Sequence, residues 1–506
     1  MNVSGQSTHS SGQTLQPVRT GAAWLYFSII GLTLLLTVSH ESYWIDEATI
    51  AVMAMQTSLH GWWRALMEFK PGEIQMPFYT IYIWAYAQVF GSSEWALRAA
   101  GLIWLVPGLT ALVTGFRRRD QRIAALVVAT SSPFVWYYAG EARPYAMYIG
   151  ASCLVFGAIC RLSQDELTAR KQSLWLSGFL FGFLILCGVT ILGVLWAGCA
   201  LLAAFFVIPR QRLFQLWKTG RVRIVLTLPL LAGLGAYFLW TFHIGSRGQT
   251  VGTTDWRSAA FVFYEQLGLL GLGPSRTALR EGGMGLLRPY APVLLAASVL
   301  IGSVLINGFR QMAKGQPAGR TAWIVLVVAA PALFLFGNGA VIHMRVLGRH
   351  CAGLMPVWIT LLAFGLAGFW RRPGLLGKAV AAAYLAAALW SCLSLRIASR
   401  HARDDYRDAA QCARLALGQN QVVWWNAALS GARYYKVPLE ATAPEKNKAV
   451  LLINPTAATL AGLEKPNVVI ASKPDLYDSA GTLAEYLARN HYRVSGKFPA
   501  FTIWRD

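Results

Sequence analysis

Apolar runs close to the length of a bilayer crossing recur along this chain from Gly21 to Leu395. Cut at breakers and charge clusters, they predict eleven spanning helices at about 21–39, 92–116, 123–139, 144–160, 174–189, 191–208, 224–241, 291–309, 321–337, 354–370 and 379–395. The first has too long an apolar core for a cleaved signal peptide and is read as an anchor. Residues 40–91 form a long connecting segment that is too apolar for a loop. Within it MPFYTIYIWAYAQVF, Met76 to Phe90, is aromatic, uncharged and short for a span, which predicts a helix lying in the membrane interface. Residues 242–290 form a second long segment, Gly-rich and of mixed charge, as expected of loops that cover a substrate. The Ser/Gln/Thr/Gly-rich residues 1–20 read as a disordered start.

From Arg396 onward the pattern changes, with Asp, Glu, Lys and Asn returning and the apolar runs shortening to strand length. DYRDAAQCARLAL predicts an amphipathic helix, QVVWW, KAVLLIN and NVVIAS predict strands, and TLAEYLARN predicts a helix before YRVSGKF. The fold class is therefore a polytopic α-helical membrane protein of about eleven transmembrane helices over 21–395, followed by a small α/β domain over 396–506. No Gly-rich phosphate loop follows any of these strands, so a nucleotide site is not expected there.

Composition supports this reading. The 506 residues hold 45 Lys+Arg against 23 Asp+Glu, a net +22, yet only 13% are charged. Soluble proteins carry about a quarter charged residues, so an ordinary soluble enzyme is excluded, and the 55% apolar content excludes disorder. The basic residues sort by connection. One set holds Arg117, Arg118, Arg119 and Arg122, then Arg161, Arg170 and Lys171, Arg210 to Arg223, Arg310 to Arg320, and Arg371, Arg372 and Lys378. The opposite connections are longer yet poorer in Lys and Arg. The positive-inside rule puts the rich set and the N-terminus in the cytoplasm, which leaves the C-terminal domain outside. Topology and anionic headgroups account for +22, and no nucleic-acid partner is expected. Of seven Cys, five fall in spans; Cys351 and Cys412 alone could meet outside, which argues against a disulfide framework.

Acids gather on the opposite side from the basic clusters: Glu41, Asp46, Glu47, Glu68, Glu73, Glu94, Glu141, Asp255, Glu265 and Glu281. Acids have little influence on topology, so this surplus points to chemistry on the outer face. In HESYWIDEATIAV, directly after the first span, Asp46 and Glu47 lie between Trp44 and an apolar stretch at the membrane surface, where a carboxylate can be tuned as a general base. The alternative is that Asp46 caps a helix beginning at Glu47. In YYAGEARPYAMY, Glu141 and Arg143 occupy a short outer turn among Tyr137, Tyr138, Tyr145 and Tyr148, as part of a shared site or as an interfacial ion pair with an aromatic belt. In HMRVLGRHCAGLMP, the cationic His343, Arg345, Arg349 and His350 are suited either to a phosphate or to lipid headgroups.

Taken in order, IDEA, MPFYTIYIW, FGSSEWALR, SPFVWYYAGEARPYAM, RVLGRHCAGLMP and DDYRDAA resemble the motifs of the GT-C superfamily of polyprenyl-phosphate-sugar glycosyltransferases. The likeness is to its protein O-mannosyltransferase and lipid A aminoarabinose transferase branch. It covers roughly 20–410 and is strongest over 40–150. It implies a catalytic Asp in the first outer loop, which carries onto Asp46, with Glu47 as the second acid of the pair and Arg98 near the outer mouth. Relatives usually have His-Pro-Pro or Lys-Pro-Pro before the interfacial helix. Here Gln75-Met76-Pro77 keeps one proline and no base, so the donor-phosphate contact passes to Lys70 or Arg349.

The function implied is transfer of a sugar from a polyprenyl-phosphate carrier to a hydroxyl of a lipid, glycan or protein acceptor, on the periplasmic face of a bacterial inner membrane. Asp46 would act as base with inversion, and Glu141, Arg143, Tyr138, Tyr145, Arg349 and His350 would line the substrates. No cofactor is required; a divalent cation is compatible with the outer His and acids, though no spacing matches a defined ligand set. The rivals are a transporter or flippase, which would place charge at mid-membrane and pair its halves, and a non-catalytic scaffold.

Overall fold

The computed structural model describes residues 20–69, 72–164, 167–244, 254–314, 318–440 and 447–506. The Ser/Gln/Thr/Gly-rich start, Lys70 and the middle of the second long segment lie outside the described residues.

Each of the eleven apolar stretches is helical. The first is α1 (Thr20–Leu35). After it α2 (Ile45–Ala54), α3 (Leu59–Glu68) and α4 (Pro77–Phe90) build the 40–91 segment. Proline opens α4 at a position whose missing N–H costs nothing. The second stretch divides at Gly101 into α5 (Glu94–Ala100) and α6 (Leu102–Gly115). The third is not one continuous helix as predicted. It breaks at Ser131–Ser132 into α7 (Arg119–Thr130) and α8 (Pro133–Ala139), because Pro133 starts a new helix and the Ser132 hydroxyl accepts from the Val135 N–H.

Then follow α9 (Tyr145–Leu162), α10 (Ala169–Val189), α11 (Ile191–Val207) and α12 (Arg210–His243). The basic stretch before residue 224 was expected to be a connection, but it is the first part of α12. At 34 residues this helix is about 51 Å long and exceeds a hydrocarbon core. Short α13 (Trp256–Gln266) and α14 (Arg276–Gly282) lead to α15 (Ala291–Ala313), α16 (Ala318–Val341), α17 (Met355–Trp370) and α18 (Leu375–Ile397). Among the described residues seven helical segments are both long and apolar enough to cross a membrane, with three shorter apolar ones, so the predicted eleven exceeds what length and composition alone support.

Helices α9 and α17 lie at the centre of the bundle, whereas α12 and α15 expose long apolar faces that in a bilayer meet lipid. The α6–α9 crossing is made by backbone contact: a Cβ on Gly108 would stand 2.1 Å from the Gly150 carbonyl oxygen, so no larger residue fits. At one end of the bundle Asp120 pairs with Arg118 at 3.2 Å and with Arg371 at 3.0 Å. At the other end gather the 40–91 segment, the α8–α9 turn, α13, α14, the 3-10 segment Gly348–Leu354 and the tail domain. The sorting of acids and basic clusters to opposite ends is thus a feature of the fold.

The tail begins with α19 (Tyr406–Gly418), followed by β1 (Val423–Asn426), α20 (Leu429–Tyr434), β2 (Leu439–Glu440), β3 (Ala449–Leu451), α21 (Ala457–Ala461), β4 (Val468–Ser472), α22 (Pro474–Tyr477), α23 (Thr482–Arg489), β5 (Arg493–Phe498) and β6 (Phe501–Arg505). Its sheet has the order β2-β3-β1-β4-β6-β5, with β2, β3, β1 and β4 parallel, Trp424 beside Val469, and β6 antiparallel to β4. Successive strand residues point to opposite faces, and β1 uses this to fill two cores. Trp425 packs with Tyr406, Ala409 and Ala413 on the α19 face, and Trp424 with Leu483 and Leu487 on the α23 face. The predicted helices and strands are all present. The two-residue β2 and the C-terminal β6 carried too little pattern to be predicted. All seven cysteines are free, so Cys351 and Cys412 do not pair.

Candidate active site

Helix α2 starts two residues earlier than the capping alternative expects, at Ile45, with Trp44 at its N-cap and no side-chain cap, so Asp46 is not the cap. Both acids lie in the first turn, where the helix dipole favours negative charge. Successive helical residues are rotated by about 100°, which sends the two carboxylates to different surroundings.

Glu47 points into the protein and is fully buried. Arg98 grips it with a two-pronged contact, Nε to Oε1 at 2.9 Å and Nη2 to Oε2 at 2.7 Å, and the Ala142 N–H donates to Oε1 at 2.8 Å. The Arg403 guanidinium stands 3.2 Å away. Burial opposes the Glu47 charge, but Arg98 and Arg403 outweigh it and hold the carboxyl down at about 2. The remaining Arg98 donors go to the Ser39 carbonyl and hydroxyl, the Glu41 carbonyl and the Ser42 carbonyl. Arg98 is therefore a strut that ties the 39–47 segment to α5, and it does not stand at an open mouth as expected.

Asp46 faces the opposite way and keeps 29% of its side chain exposed. Its Oδ2 lies 3.5 Å from Arg349 Nη1 and 3.8 Å from Arg143 Nη2, long for charge-assisted contacts that normally close to about 2.7–2.9 Å. Arg143 also donates to the Asp46 carbonyl at 3.2 Å and to Glu73 Oε1 at 3.1 Å. Burial pushes the Glu73 carboxyl above its ordinary range, opposed by Arg143 and helped by the Asp46 charge. Arg349 lies 5.9 Å from the ring centres of both Trp44 and Tyr145. Three buried donors around Asp46, namely Nε of Arg143, Nε of Arg349 and the Trp44 indole N–H, have no hydrogen-bond partner among the described residues. Buried donors are nearly always satisfied, so these three leave room for acceptor oxygens beside Asp46.

The other expected residues fall around this centre. Tyr138 is buried, packs edge-on against Tyr145 at 4.9 Å, and accepts from Arg276 Nη2 at 2.6 Å. Glu141 is buried with neither oxygen hydrogen-bonded among the described residues, and burial pushes its carboxyl upward. Arg143 pairs with Glu73 and Asp46, so the pairing expected within the α8–α9 turn is replaced by longer-range partners. The cationic run around 343–350 does not act as a unit: His343 and Arg345 are exposed, the His350 Nδ1 accepts from the Leu347 N–H at 3.2 Å, and Arg349 alone turns to Asp46.

Sequence reasoning missed four contributors, Glu73, Glu265, Arg276 and Arg403. Glu73 and Glu265 were visible as outer acids, without a partner to distinguish them. Arg276 pairs with Glu265 at 2.5 Å and lies over Tyr137 at 4.2 Å. Among the described residues no group of three or more His, Cys, Asp or Glu is placed to hold a metal ion.

No family model and no curated protein matches the sequence. Solved structures do match the fold. ArnT from Cupriavidus metallidurans in the apo state is 13% identical, with a TM-score of 0.56 over 96% of this chain and 98% of that one. The same protein bound to undecaprenyl phosphate is 14% identical, with the same TM-score and coverage. The agreement spans both the helical bundle and the tail, and the chain therefore has the fold of ArnT.

Proposed function

We propose that this protein is a glycosyltransferase that moves a sugar from a polyprenyl-phosphate carrier to an acceptor hydroxyl, at the end of the bundle that carries the tail domain. The observation that carries the reading is the centre around Asp46: a partly exposed carboxylate, two guanidiniums at more than ordinary contact distance, and three buried donors without acceptors. The ArnT structure bound to undecaprenyl phosphate supports the carrier class. The positive-inside pattern supports a periplasmic site in a bacterial inner membrane.

In the mechanism the acceptor oxygen attacks the anomeric carbon as the bond from that carbon to the phosphate oxygen breaks. The electron pair leaves on the polyprenyl phosphate, and the hydroxyl proton passes to Asp46. Arg349 and Arg143 stabilise the departing phosphate, their charge being fixed before the reaction begins. A single displacement inverts the anomeric centre. Glu47 takes no proton in this scheme, because its oxygens are fully engaged and sealed from solvent; it holds Asp46 in place. Tyr138 and Tyr145 pack beside Arg349 next to Asp46, and the acceptor is a lipid, glycan or protein hydroxyl.

The test is transfer from a radiolabelled polyprenyl-phosphate sugar by the purified protein in proteoliposomes. Product with inverted configuration supports the proposal. Binding of the carrier without transfer to any hydroxyl acceptor, or movement of the intact carrier across the bilayer, overturns it.

A further inference from the structure

We propose that Arg403 is a positioning residue through which the tail domain holds the Asp46 loop in its reactive geometry, an inference that rests on the reading of Asp46 as the base. Arg403 lies in the short link between α18 and α19. Its guanidinium meets three acids from two segments: Glu47 at 3.2 Å and Glu41 at 3.8 Å in the 39–47 segment, and Glu141 at 4.0 Å in the α8–α9 turn. It also donates to the Tyr137 carbonyl at 3.5 Å and lies 5.5 Å from the Tyr137 ring centre.

The charge balance gives Arg403 its weight. Glu47 and Glu141 are both buried and lie close enough to repel one another. Arg98 supplies one positive charge to Glu47, and among the described residues Arg403 is the cation within 4.0 Å of both acids. Each acid adjoins a member of the centre: Glu47 follows Asp46, and Glu141 lies two residues before Arg143, with the Ala142 N–H between them bonded to Glu47. Without Arg403 the mutual repulsion of the two carboxylates would push α2 and the α8–α9 turn apart.

The tail fixes the other end of this lever. Asp404 pairs with Lys473 at the end of β4, the Asp405 N–H donates to the Pro499 carbonyl at 3.0 Å, and the Asp405 side chain caps α19. Tyr435 adds a second hold, its hydroxyl accepting from the Tyr43 N–H at 2.8 Å. The α8–α9 turn has no room to slide: a Cβ on Gly140 would stand 2.8 Å from the Thr37 carbonyl oxygen and 3.7 Å from Arg403 Nη2. The tail domain is thus attached to both elements that carry the reacting cluster, and Arg403 touches both.

The experiment uses the full chain in proteoliposomes with Arg403→Gln and Arg403→Lys, a radiolabelled polyprenyl-phosphate sugar as probe, and amide hydrogen exchange as a second readout. Arg403→Gln should lower kcat about 10- to 100-fold, as a misplacement of about 1 Å does, with donor KM nearly unchanged. Arg403→Lys, which keeps the charge, should recover most of kcat. Exchange in Arg403→Gln should rise over 39–54 and 140–148 but not over 423–472. Wild-type kcat in Arg403→Gln, or a rise in exchange that extends through the tail sheet, overturns the proposal. If the wild-type protein transfers no sugar from such donors, the functional reading falls by itself. The exchange data then decide for Arg403: a rise confined to 39–54 and 140–148 sustains it, and no rise removes it.

Discussion

Asp46 and Glu47 share the first turn of α2, and each meets two guanidiniums: Arg143 and Arg349 at 3.8 and 3.5 Å for the first, Arg98 and Arg403 at 2.7 and 3.2 Å for the second. The charges are alike, but the closure differs. The Glu47 cluster is dry, short and supplied with a backbone N–H, so its energy goes into holding the 39–47 segment, α5 and the tail together. The Asp46 cluster is longer, partly open and left with unused donors. A buried carboxylate that already has its hydrogen bonds cannot accept a substrate proton without breaking them, whereas a loosely held one can. Adjacent residues of one motif are therefore divided between structure and chemistry by the rotation of a helix.

The most direct way to break this comparison is Asp46→Asn. We expect transfer to fall about 10²- to 10⁴-fold, the usual contribution of a general base, with folding and donor binding retained. Turnover and donor binding by the purified variant check it, and near-normal turnover would assign the base elsewhere. Glu47→Gln should do the reverse, leaving Arg98 and Arg403 buried beside a neutral group. We expect a loss of about 3–5 kcal/mol in stability, visible in thermal unfolding in detergent. An Asp46→Asn variant that is destabilised as strongly would erase the distinction between the two clusters.

Arg349→Ala should weaken use of the donor by roughly ten- to a hundredfold, the equivalent of about 1.5–3 kcal/mol for a charged hydrogen bond. The effect should fall on donor KM as well as on turnover, and an unchanged KM in donor titrations would make Arg349 a headgroup anchor. Acid sharpens the contrast further. The Glu47 carboxyl is lowered from an ordinary 4.5 to about 2, so its contribution to stability is present above about 4.5 and is lost as pH falls toward 2. The stability difference between wild type and Glu47→Gln should shrink over that window; a constant difference would mean that Glu47 is not held ionised by its partners. The smallest effect is expected at the solvent-exposed Arg433–Glu68 pair, 2.7 Å apart. Arg433→Gln should cost no more than about 1 kcal/mol, measured by the same unfolding assay, because water screens both charges.

Much of this architecture can be read from local pattern. Hydrophobic length marks the eleven helical stretches, and alternation with turn residues marks the tail strands around Trp424 and Trp425. Where a prediction fails, the cause is a local feature outweighed by a longer one. Pro133 divides a stretch whose hydropathy is continuous, and α12 carries its helix through Arg210–Arg223 because charge does not stop a helix outside the bilayer. The site was partly legible: Asp46, Arg143 and Arg349 stood in recognisable motifs, and the structure brings them together. Arg98 stood in one as well, but its motif did not reveal that its donors would be consumed by Glu47 and by Ser39, Glu41 and Ser42.

Sequence alone determines what depends on neighbours along the chain: which stretches are helical, which end of the bundle carries the acids, and that Asp46 and Glu47 open a helix after the first apolar stretch. It does not determine which of the two acids remains open. That depends on Arg98, Arg143, Arg349 and Arg403, drawn from four distant segments, and on whether each closes to a dry contact of 3.2 Å or less or stops at 3.5 Å or more. The strength of a charge pair follows its distance and the water around it, and in this protein both are set by the packing of α5, the α8–α9 turn, the Gly348–Leu354 segment and the tail against α2.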